Sequence, residues 1–242
     1  MAQANGAAIH AARLKRSSEL IHELDRIYKI SQDNQVKSCK SSTAILLAAG
    51  RSSRMGAFKP LLPFGNKTVI ECCVDYLREG GVEEIVVVLG HRADNIRQQV
   101  SGVKFALNPD PDSPMGASIA AGVRELPETA GATLIALVDH PAVPPTVVAT
   151  LLESWKSGAR LVIPTWQGRG GHPVLVDLSF KPELLTLSES GGLRALFDAH
   201  RNEVTRVAVD SPFIARDMDT WDDYTSLHME VTGRPAPEPP RD

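Results

Sequence analysis

An apolar strand pattern turns into a basic loop at Leu46-Leu-Ala-Ala-Gly-Arg-Ser-Ser-Arg-Met-Gly-Ala-Phe-Lys-Pro60. The small residues at 48–50 let a ligand ring approach the main chain, so that peptide groups can bind a base. Arg51, Arg54 and Lys59 add positive charge to a turn whose N–H groups can bind an anion. Neither GxxxxGK[ST] nor GxGxxG is present. The stretch predicts an anion or nucleotide site at the end of a strand, with an ordinary basic loop as the alternative.

Short apolar runs alternate with helical patterns along the rest of the chain. The strand candidates are 43–48, 84–89, 103–107, 133–138, 160–163 and 203–209, and the helix candidates are 68–79, 94–100, 115–125, 145–156, 192–200 and 220–228. Apolar strands separated by helices predict a mainly parallel sheet that is covered on both faces. Ligands of such sheets bind beyond the carboxyl ends of the strands. Ala49, Asn108 and Asp139 each follow such a strand, so we expect the site there.

Both ends of the chain differ in composition from the middle. Residues 1–41 combine a short amphipathic pattern with a polar linker, which predicts an extension that is either loosely attached or an oligomerisation or partner helix. Residues 231–242 are rich in proline and are predicted to be disordered. One domain is left at residues 42–230.

Composition limits the possible partners and the compartment. The net charge is −3, which gives no basic footprint for nucleic acid. The chain has three cysteines, an odd number that favours a reducing compartment over a disulfide framework. No apolar run approaches the roughly 18 residues of a membrane span, and the basic N-terminus is not followed by a signal-peptide core. We therefore expect a cytoplasmic protein that contacts neither nucleic acid nor membrane.

Several motifs together resemble those of the molybdenum cofactor nucleotidyltransferases. The stretch from Leu47 to Lys59 is similar to their pattern L-A-A-G-x-S-x-R-M-G-x-x-K, in the form typical of the cytidylyltransferase branch rather than the Leu-Ala-Gly-Gly of the guanylyltransferase branch. The resemblance spans roughly Ala44 to Leu227, and His140 departs from the Met or Gln of many relatives. The later motifs follow in order as Asn108, Met115-Gly-Ala-Ser118, Val138-Asp-His-Pro141, Gly170-Gly-His-Pro-Val174 and Asp217-Met-Asp-Thr220.

This resemblance implies a fold and a reaction. The fold is a Rossmann-like α/β three-layer sandwich with a mostly parallel sheet, of the nucleotide-diphosphosugar transferase type. The reaction is magnesium-dependent transfer of CMP from CTP to the molybdenum cofactor on molybdopterin, with release of pyrophosphate. Other phosphorylated acceptors, such as a sugar phosphate or methylerythritol phosphate, remain open. A non-catalytic carrier that delivers the cofactor to a molybdenum hydroxylase is the more distant alternative.

The resemblance also assigns roles to individual residues. The catalytic residues are Arg54, Lys59 and Asp139, the nucleotide-binding residues are Leu47, Ala48, Ala49, Gly50, Asn108 and Ser118, the magnesium ligands are Asp139 and Asp219, and the acceptor-binding residue is His172. A carboxylate directly after a buried strand, as at Asp139, suits magnesium, which prefers oxygen ligands.

Local structure offers a plainer explanation for four of these residues. Asp139 can cap a turn, Asn108 can start a turn before its proline, and Ser118 can cap a helix. His172 lies among glycines in a predicted flexible connection and can be a turn residue. Asp217 is a weaker candidate than Asp219 for the second carboxylate.

Overall fold

The computed structural model describes residues 40–51, 55–110, 112–187, 189 and 191–238. The compact unit that contains them begins at Lys40. The predicted N-terminal extension therefore lies outside the described residues except for its last two positions. Ser41 already belongs to the first strand, so the domain starts one residue earlier than expected.

Ten strands and seven α-helices make up the described part of the chain. The strands are β1 (Ser41–Ala48), β2 (Pro63–Phe64), β3 (Lys67–Thr68), β4 (Glu84–Leu89), β5 (Lys104–Leu107), β6 (Ala130–Leu137), β7 (Leu161–Trp166), β8 (Arg169–Gly170), β9 (Val174–Asp177) and β10 (Val204–Ala208). The helices are α1 (Val69–Glu79), α2 (Ala93–Gln99), α3 (Met115–Arg124), α4 (Pro145–Lys156), α5 (Lys181–Leu185), α6 (Gly192–Ala199) and α7 (Trp221–Thr232). Short 3₁₀ helices lie at Lys59–Leu61, Leu178–Phe180, Arg201–Glu203 and Pro212–Ala215.

One large sheet forms the middle layer, with strand order β10-β7-β9-β6-β1-β4-β5 and β8 added to β7. The pairs β1–β4, β1–β6, β4–β5 and β7–β10 are parallel, whereas β9 is antiparallel to both β6 and β7. Alternate residues of β1 between Ala44 and Ala48 face opposite core clusters, which explains why this part of the strand is apolar. The predicted Rossmann-like three-layer sandwich with a mostly parallel sheet is confirmed.

The predicted elements agree with the structure to within a few residues at most ends. The exceptions are elements too short to show a period in the sequence. The strand β9 was not predicted, and it separates β6 from β7 in the sheet. The hairpin β2–β3 and helix α5 were also missed.

Helix α7 begins at a position fixed by a reciprocal cap. The Thr220 hydroxyl accepts a hydrogen bond from the Asp223 main-chain N–H at 3.2 Å, and the Asp223 carboxylate accepts one from the Thr220 N–H at 2.8 Å. Such a capping box satisfies two main-chain donors that the helix itself leaves open. It thereby fixes where the chain leaves Asp219, the residue just before the cap.

The C-terminal segment departs from its prediction. Helix α7 continues to Thr232, two residues into the segment that was expected to be disordered, and ends at Gly233 with a φ of 68°. The chain then turns back towards the helix. The Arg234 carbonyl accepts a hydrogen bond from His228 Nδ1 at 2.9 Å. Ala236 packs against the buried cluster that contains Tyr224. Proline content alone predicted disorder here, whereas residues 231 and 232 are helical and Arg234 and Ala236 contact the domain.

No helix in the described ranges is both long enough and apolar enough to cross a membrane.

The side chain of His200 connects helix α5 with the 3₁₀ helix Arg201–Glu203, and we call these contacts the histidine clasp. His200 follows α6, and its Nε2 lies 2.8 Å from a Glu183 carboxylate oxygen on α5. Its Nδ1 lies 3.3 Å from Glu203, and its ring packs on the edge of Phe180. The hydrogen bond and the charge of Glu183, followed by those of Glu203, raise the pKa of His200 above its ordinary value.

We expect this clasp to make stability depend on pH. Because the folded-state pKa of His200 is raised, its contribution is complete below the unfolded pKa of about 6.5 and is lost as pH rises through the folded pKa. The His200→Gln variant should therefore lose more thermal stability at about pH 6 than at about pH 9. Melting curves of both proteins across this range test the difference. An equal loss at both pH values would contradict the role of the charged imidazole.

Candidate active site

Parallel pairing places the ends of β1 and β6 side by side, since Leu47 pairs with Leu137 in the register. The residues that follow these strands, together with the start of α3 and the Lys59 segment, enclose a cavity of about 290 Å³. We call it the nucleotide cavity. Its predicted lining residues are Leu47, Ala49, Gly50, Lys59, Ser118 and Asp139, and Pro60, Ser113, Met115, Leu137 and Val138 also line it.

The wall formed by β1 is small and close to the main chain. The Ala49 side chain faces the cavity, whereas the Ala48 side chain packs on the opposite face of the strand in the core. Of these two predicted nucleotide-binding residues, only Ala49 lines the cavity, and the contact of either one with a base stays a prediction. Gly90 packs against this wall, because a Cβ there would lie 2.5 Å from the Ala49 carbonyl oxygen. A side chain at position 90 would push the wall into the cavity.

Asn108 holds two serine side chains at the cavity. Its Nδ2 donates hydrogen bonds to the hydroxyl oxygens of Ser113 and Ser118, both at 2.9 Å. Its Oδ1 accepts one from the Asp110 main-chain N–H at 3.2 Å. The amide group of Asn108 thus positions these serines, and its predicted contact with the nucleotide stays a prediction. Ser113 was missed, although the Asp-rich turn before a helix is a signal that could have found it.

A buried lysine connects distant parts of the chain at the cavity. Only 8% of Lys59 is exposed, and its Nζ lies 2.7 Å from Asp219 Oδ1. The main chain beside Asp219 also contacts the end of β6, because the Met218 N–H donates to the Asp139 carbonyl at 3.1 Å. Lys59, Asp139 and Asp219, which were predicted from separate motifs, therefore meet at one place.

The carboxyl group of Asp139 is mostly buried, and its surroundings shift its pKa in both directions. Burial raises its pKa, the neighbouring His140 and Lys59 lower it, and Asp217 raises it, with a net shift upward. In the described part of the chain, its Oδ1 is buried without a hydrogen-bond partner. His140 Nε2 is 3.7 Å from that oxygen, and His140 Nδ1 faces the Phe213 carbonyl at 3.4 Å. A buried oxygen of this kind is suited to a cation.

The residues fit a magnesium ion that is shared with a substrate. Among the residues that the structure describes, no three His, Cys, Asp or Glu side chains are grouped to hold a metal alone. Magnesium usually binds one or two carboxylates together with water and substrate phosphates. Asp139 and Asp219, which both interact with Lys59, provide such an oxygen pair beside the cavity.

The connection that carries His172 is a tight turn that packs against the segment at Ile214. Gln167 and Gly168 form a tight turn with φ angles of 48° and 79°, and β8 follows directly. A Cβ at Gly171 would lie 2.1 Å from the Ile214 carbonyl oxygen, which the His172 N–H binds at 2.7 Å. This contact attaches the turn to the segment that leads to Asp219.

His172 itself lies beside His140 and is not among the lining residues of the nucleotide cavity. Its ring centroid is 5.8 Å from that of His140, the neighbour of Asp139. Burial, assisted by the charge of His140, lowers the pKa of His172 to about 4, so its imidazole is neutral at physiological pH. Its Nδ1 is buried without a hydrogen-bond partner within the described residues.

The two arginines of the first motif differ in what the structure describes. Arg51 is exposed, and its Nη2 lies 2.7 Å from Asp112 in the loop that also carries Ser113. Arg54, a predicted catalytic residue, belongs to residues 52–54, which are outside the described part of the chain. Lys59 is the predicted catalytic cation whose place is described.

These features define a nucleotidyltransferase with its site at the carboxyl ends of a parallel sheet. The chain belongs to the family of proteins with a MobA-like NTP transferase domain, which matches residues 44–204. The resemblance to molybdopterin nucleotidyltransferases is thereby confirmed at the level of the family.

Individual relatives give a broader picture. The chain is 34% identical over 163 residues to nicotine blue oxidoreductase of Paenarthrobacter nicotinovorans, covering 63% of this chain and 79% of that protein. The structure of Rv0371c from Mycobacterium tuberculosis H37Rv has a TM-score of 0.71 and 28% identity, covering 78% of this chain and 97% of that one. Rv0371c is also known in complex with manganese, with a TM-score of 0.68, 26% identity and coverage of 78% and 98%. Molybdopterin-guanine dinucleotide biosynthesis protein A from Archaeoglobus fulgidus shares the fold, with a TM-score of 0.60, 20% identity and coverage of 79% and 98%.

Replacement of Asp139 tests the carboxylate site. The Asp139→Asn variant should release pyrophosphate about 10²-fold more slowly, because the change removes one electrostatic stabiliser of the reacting phosphates. Its melting temperature should change little, since the substitution removes a buried charge and keeps the shape. The matched control is Asp217→Asn, which removes a nearby charge and should stay within a few-fold of the wild type. Asp139→Asn activity at the level of this control would move the metal site elsewhere.

Proposed function

We propose that this nucleotidyltransferase transfers CMP from CTP to the terminal phosphate of the molybdenum cofactor on molybdopterin, with magnesium as its metal. One observation carries the proposal. The nucleotide cavity joins a small neutral wall at Ala49 and Gly50 to the charged pair Lys59 and Asp139. A single bound nucleotide can therefore place its base at one end and its phosphates at the other.

The reaction needs little covalent chemistry from the protein. An oxygen of the acceptor phosphate attacks the α-phosphorus, forming a new P–O bond, while the bond from the α-phosphorus to the bridging oxygen breaks. Pyrophosphate leaves with that electron pair. A phosphate is already an anion at neutral pH, so no side-chain base is required. The protein supplies position and charge neutralisation.

Each described residue has a part in that scheme. Lys59 stabilises the negative charge of the triphosphate and of the leaving pyrophosphate, in a buried place where water screens it little. Ser118 and the start of α3 face the sugar and phosphate oxygens, where a helix N-terminus favours negative charge. Asn108 keeps Ser118 in position. Arg54 is proposed to join Lys59 at the phosphates.

Asp139 and Asp219 are proposed as the magnesium ligands. When bound, the ion would neutralise phosphate charge and polarise the bond that breaks. Two observations support the assignment of these residues. The buried Asp139 Oδ1 lacks a hydrogen-bond partner among the described residues, and the Lys59 ion pair fixes the Asp219 carboxylate. The manganese complex of Rv0371c supports a divalent metal in a related protein.

Alternative acceptors are tested together with the nucleotide. Fold alone does not fix an acceptor, so a sugar phosphate or methylerythritol phosphate is the first alternative. The name of the Paenarthrobacter relative adds oxidation or reduction of nicotine blue as a second candidate. Delivery of the finished cofactor to a molybdenum hydroxylase is a third. Pyrophosphate release across four NTPs and these acceptors, beside a nicotine blue assay, separates them, because a carrier or an oxidoreductase releases no pyrophosphate.

The nucleotide preference should depend on Ala49. Because its methyl group narrows the base end of the cavity, the value of kcat/KM should be about tenfold or more higher for CTP than for GTP. The Ala49→Gly variant should narrow that ratio by making room for a purine. Steady-state kinetics with both nucleotides measure it. Equal use of CTP and GTP by the unaltered protein would refute the cytidine assignment.

His172 should affect the acceptor and not the nucleotide. The loss of one hydrogen bond between this imidazole and a charged acceptor costs about 1–3 kcal/mol. His172→Ala should therefore raise the KM for the acceptor by roughly tenfold or more and leave the KM for CTP nearly unchanged. His172→Asn, which retains a donor, should recover part of the loss. A rise in the KM for CTP alone would place this residue over the nucleotide.

A further inference from the structure

A second concave surface lies next to the Lys59 segment and shares no lining residue with the nucleotide cavity. We call it the aromatic groove; its volume is about 320 Å³, and its lining includes Phe58, Leu62, Pro63, Arg92, Trp221 and Tyr224. Phe58 directly precedes Lys59, and Trp221 follows Asp219 by two residues. The groove therefore lies across the two chain segments that the Lys59–Asp219 ion pair connects.

The C-terminal segment of the same chain forms one side of the groove. Pro237 and Glu238 complete its lining, and Ala236 packs against the neighbouring cluster of Met218, Leu62 and Tyr224. Pro235 and Pro237 each hold φ near −65°, which favours an extended polyproline conformation. Proline-rich segments bind grooves lined with aromatic rings because they lose little conformational entropy there.

His228 attaches this segment to the hairpin that follows Lys59. Its Nε2 accepts a hydrogen bond from the Gly65 N–H at 3.3 Å, and its Nδ1 donates one to the Arg234 carbonyl at 2.9 Å. Both ring nitrogens of the buried His228 are thus hydrogen-bonded, one to the hairpin and one to the C-terminal segment. The Tyr224 hydroxyl adds a third link, since it donates to the Pro63 carbonyl at 2.6 Å.

We infer that residues 234–238 act as an intramolecular polyproline ligand of the aromatic groove, which holds the Lys59 segment against the start of α7. The segment is thereby a positioning element for Lys59 and Asp219, whose side chains meet at 2.7 Å across a separation of 160 residues. The inference rests on the proposed catalytic roles of Lys59 and Asp219. It assigns a function to a segment whose composition predicts disorder.

A shortened protein tests this inference. A chain that ends at Gly233 lacks residues 234–242 and should show a kcat roughly tenfold lower, because small displacements of catalytic groups cost about that much or more. The KM for the nucleotide should change less than kcat. Amide hydrogen exchange should become faster at residues 57–65, a readout that does not depend on turnover.

Addition of the missing segment in trans provides the decisive measurement. A synthetic peptide with the sequence of residues 234–242 should bind the shortened protein, restore turnover and slow the exchange at 57–65. Trp221→Leu in the shortened protein should abolish peptide binding by removing a groove ring. Val231→Ser, an exposed position on the same helix, is the matched control and should retain it.

Three results would overturn the inference. The shortened protein could keep both its activity and its exchange protection, it could become more active, which would make the segment an inhibitor, or it could fail to bind the peptide. Failure of the proposed function has a different signature. In that case the full-length protein releases no pyrophosphate from any NTP, while peptide binding and hydrogen exchange still decide the role of the segment.

Discussion

Lys59 is almost fully buried, and a buried ammonium group is stable only where a partner compensates for its lost hydration. Asp219 provides that compensation at 2.7 Å, from a segment that the chain reaches 160 residues later. The capping box at Thr220 and the contact between the Met218 N–H and the Asp139 carbonyl hold this segment in place. The Lys59–Asp219 ion pair therefore links the first motif to the last helix, next to the central sheet.

Burial shifts the pKa values of Asp139 and His172 in opposite directions. It raises the pKa of the Asp139 carboxyl and lowers that of the His172 imidazole, because in each case it disfavours the charged form. The chain has a net charge of −3, so its overall field does not attract a polyanion. Recognition of a triphosphate then depends on local groups such as Lys59 and the start of α3, acting at short range with little screening.

The sequence predicted the parts of the site that follow from parallel strands. Ala49 and Asp139 could be placed together, since they follow apolar runs whose carboxyl ends meet at one edge of the sheet. The role of Asn108 could not be predicted, because its hydrogen bonds depend on where the next loop returns. Strand β9 is four residues long and shows no period, and its antiparallel place depends on partners elsewhere. The contacts of Arg234 and Ala236 likewise depend on distant partners, which composition does not reveal.

The great separation of Lys59 from Asp219 has a consequence for the order in which the molecule assembles. Contacts between distant residues form late, because closing a long loop costs entropy before the contact gives any return. The family match ends at residue 204, so a nascent chain of that length already contains the walls of the nucleotide cavity but lacks Asp219. During synthesis from the N-terminus, Lys59 is made long before its counter-ion, so its ammonium group stays hydrated until Asp219 arrives. The site is thus the last part of the domain to reach its final charge balance, when helix α7 docks.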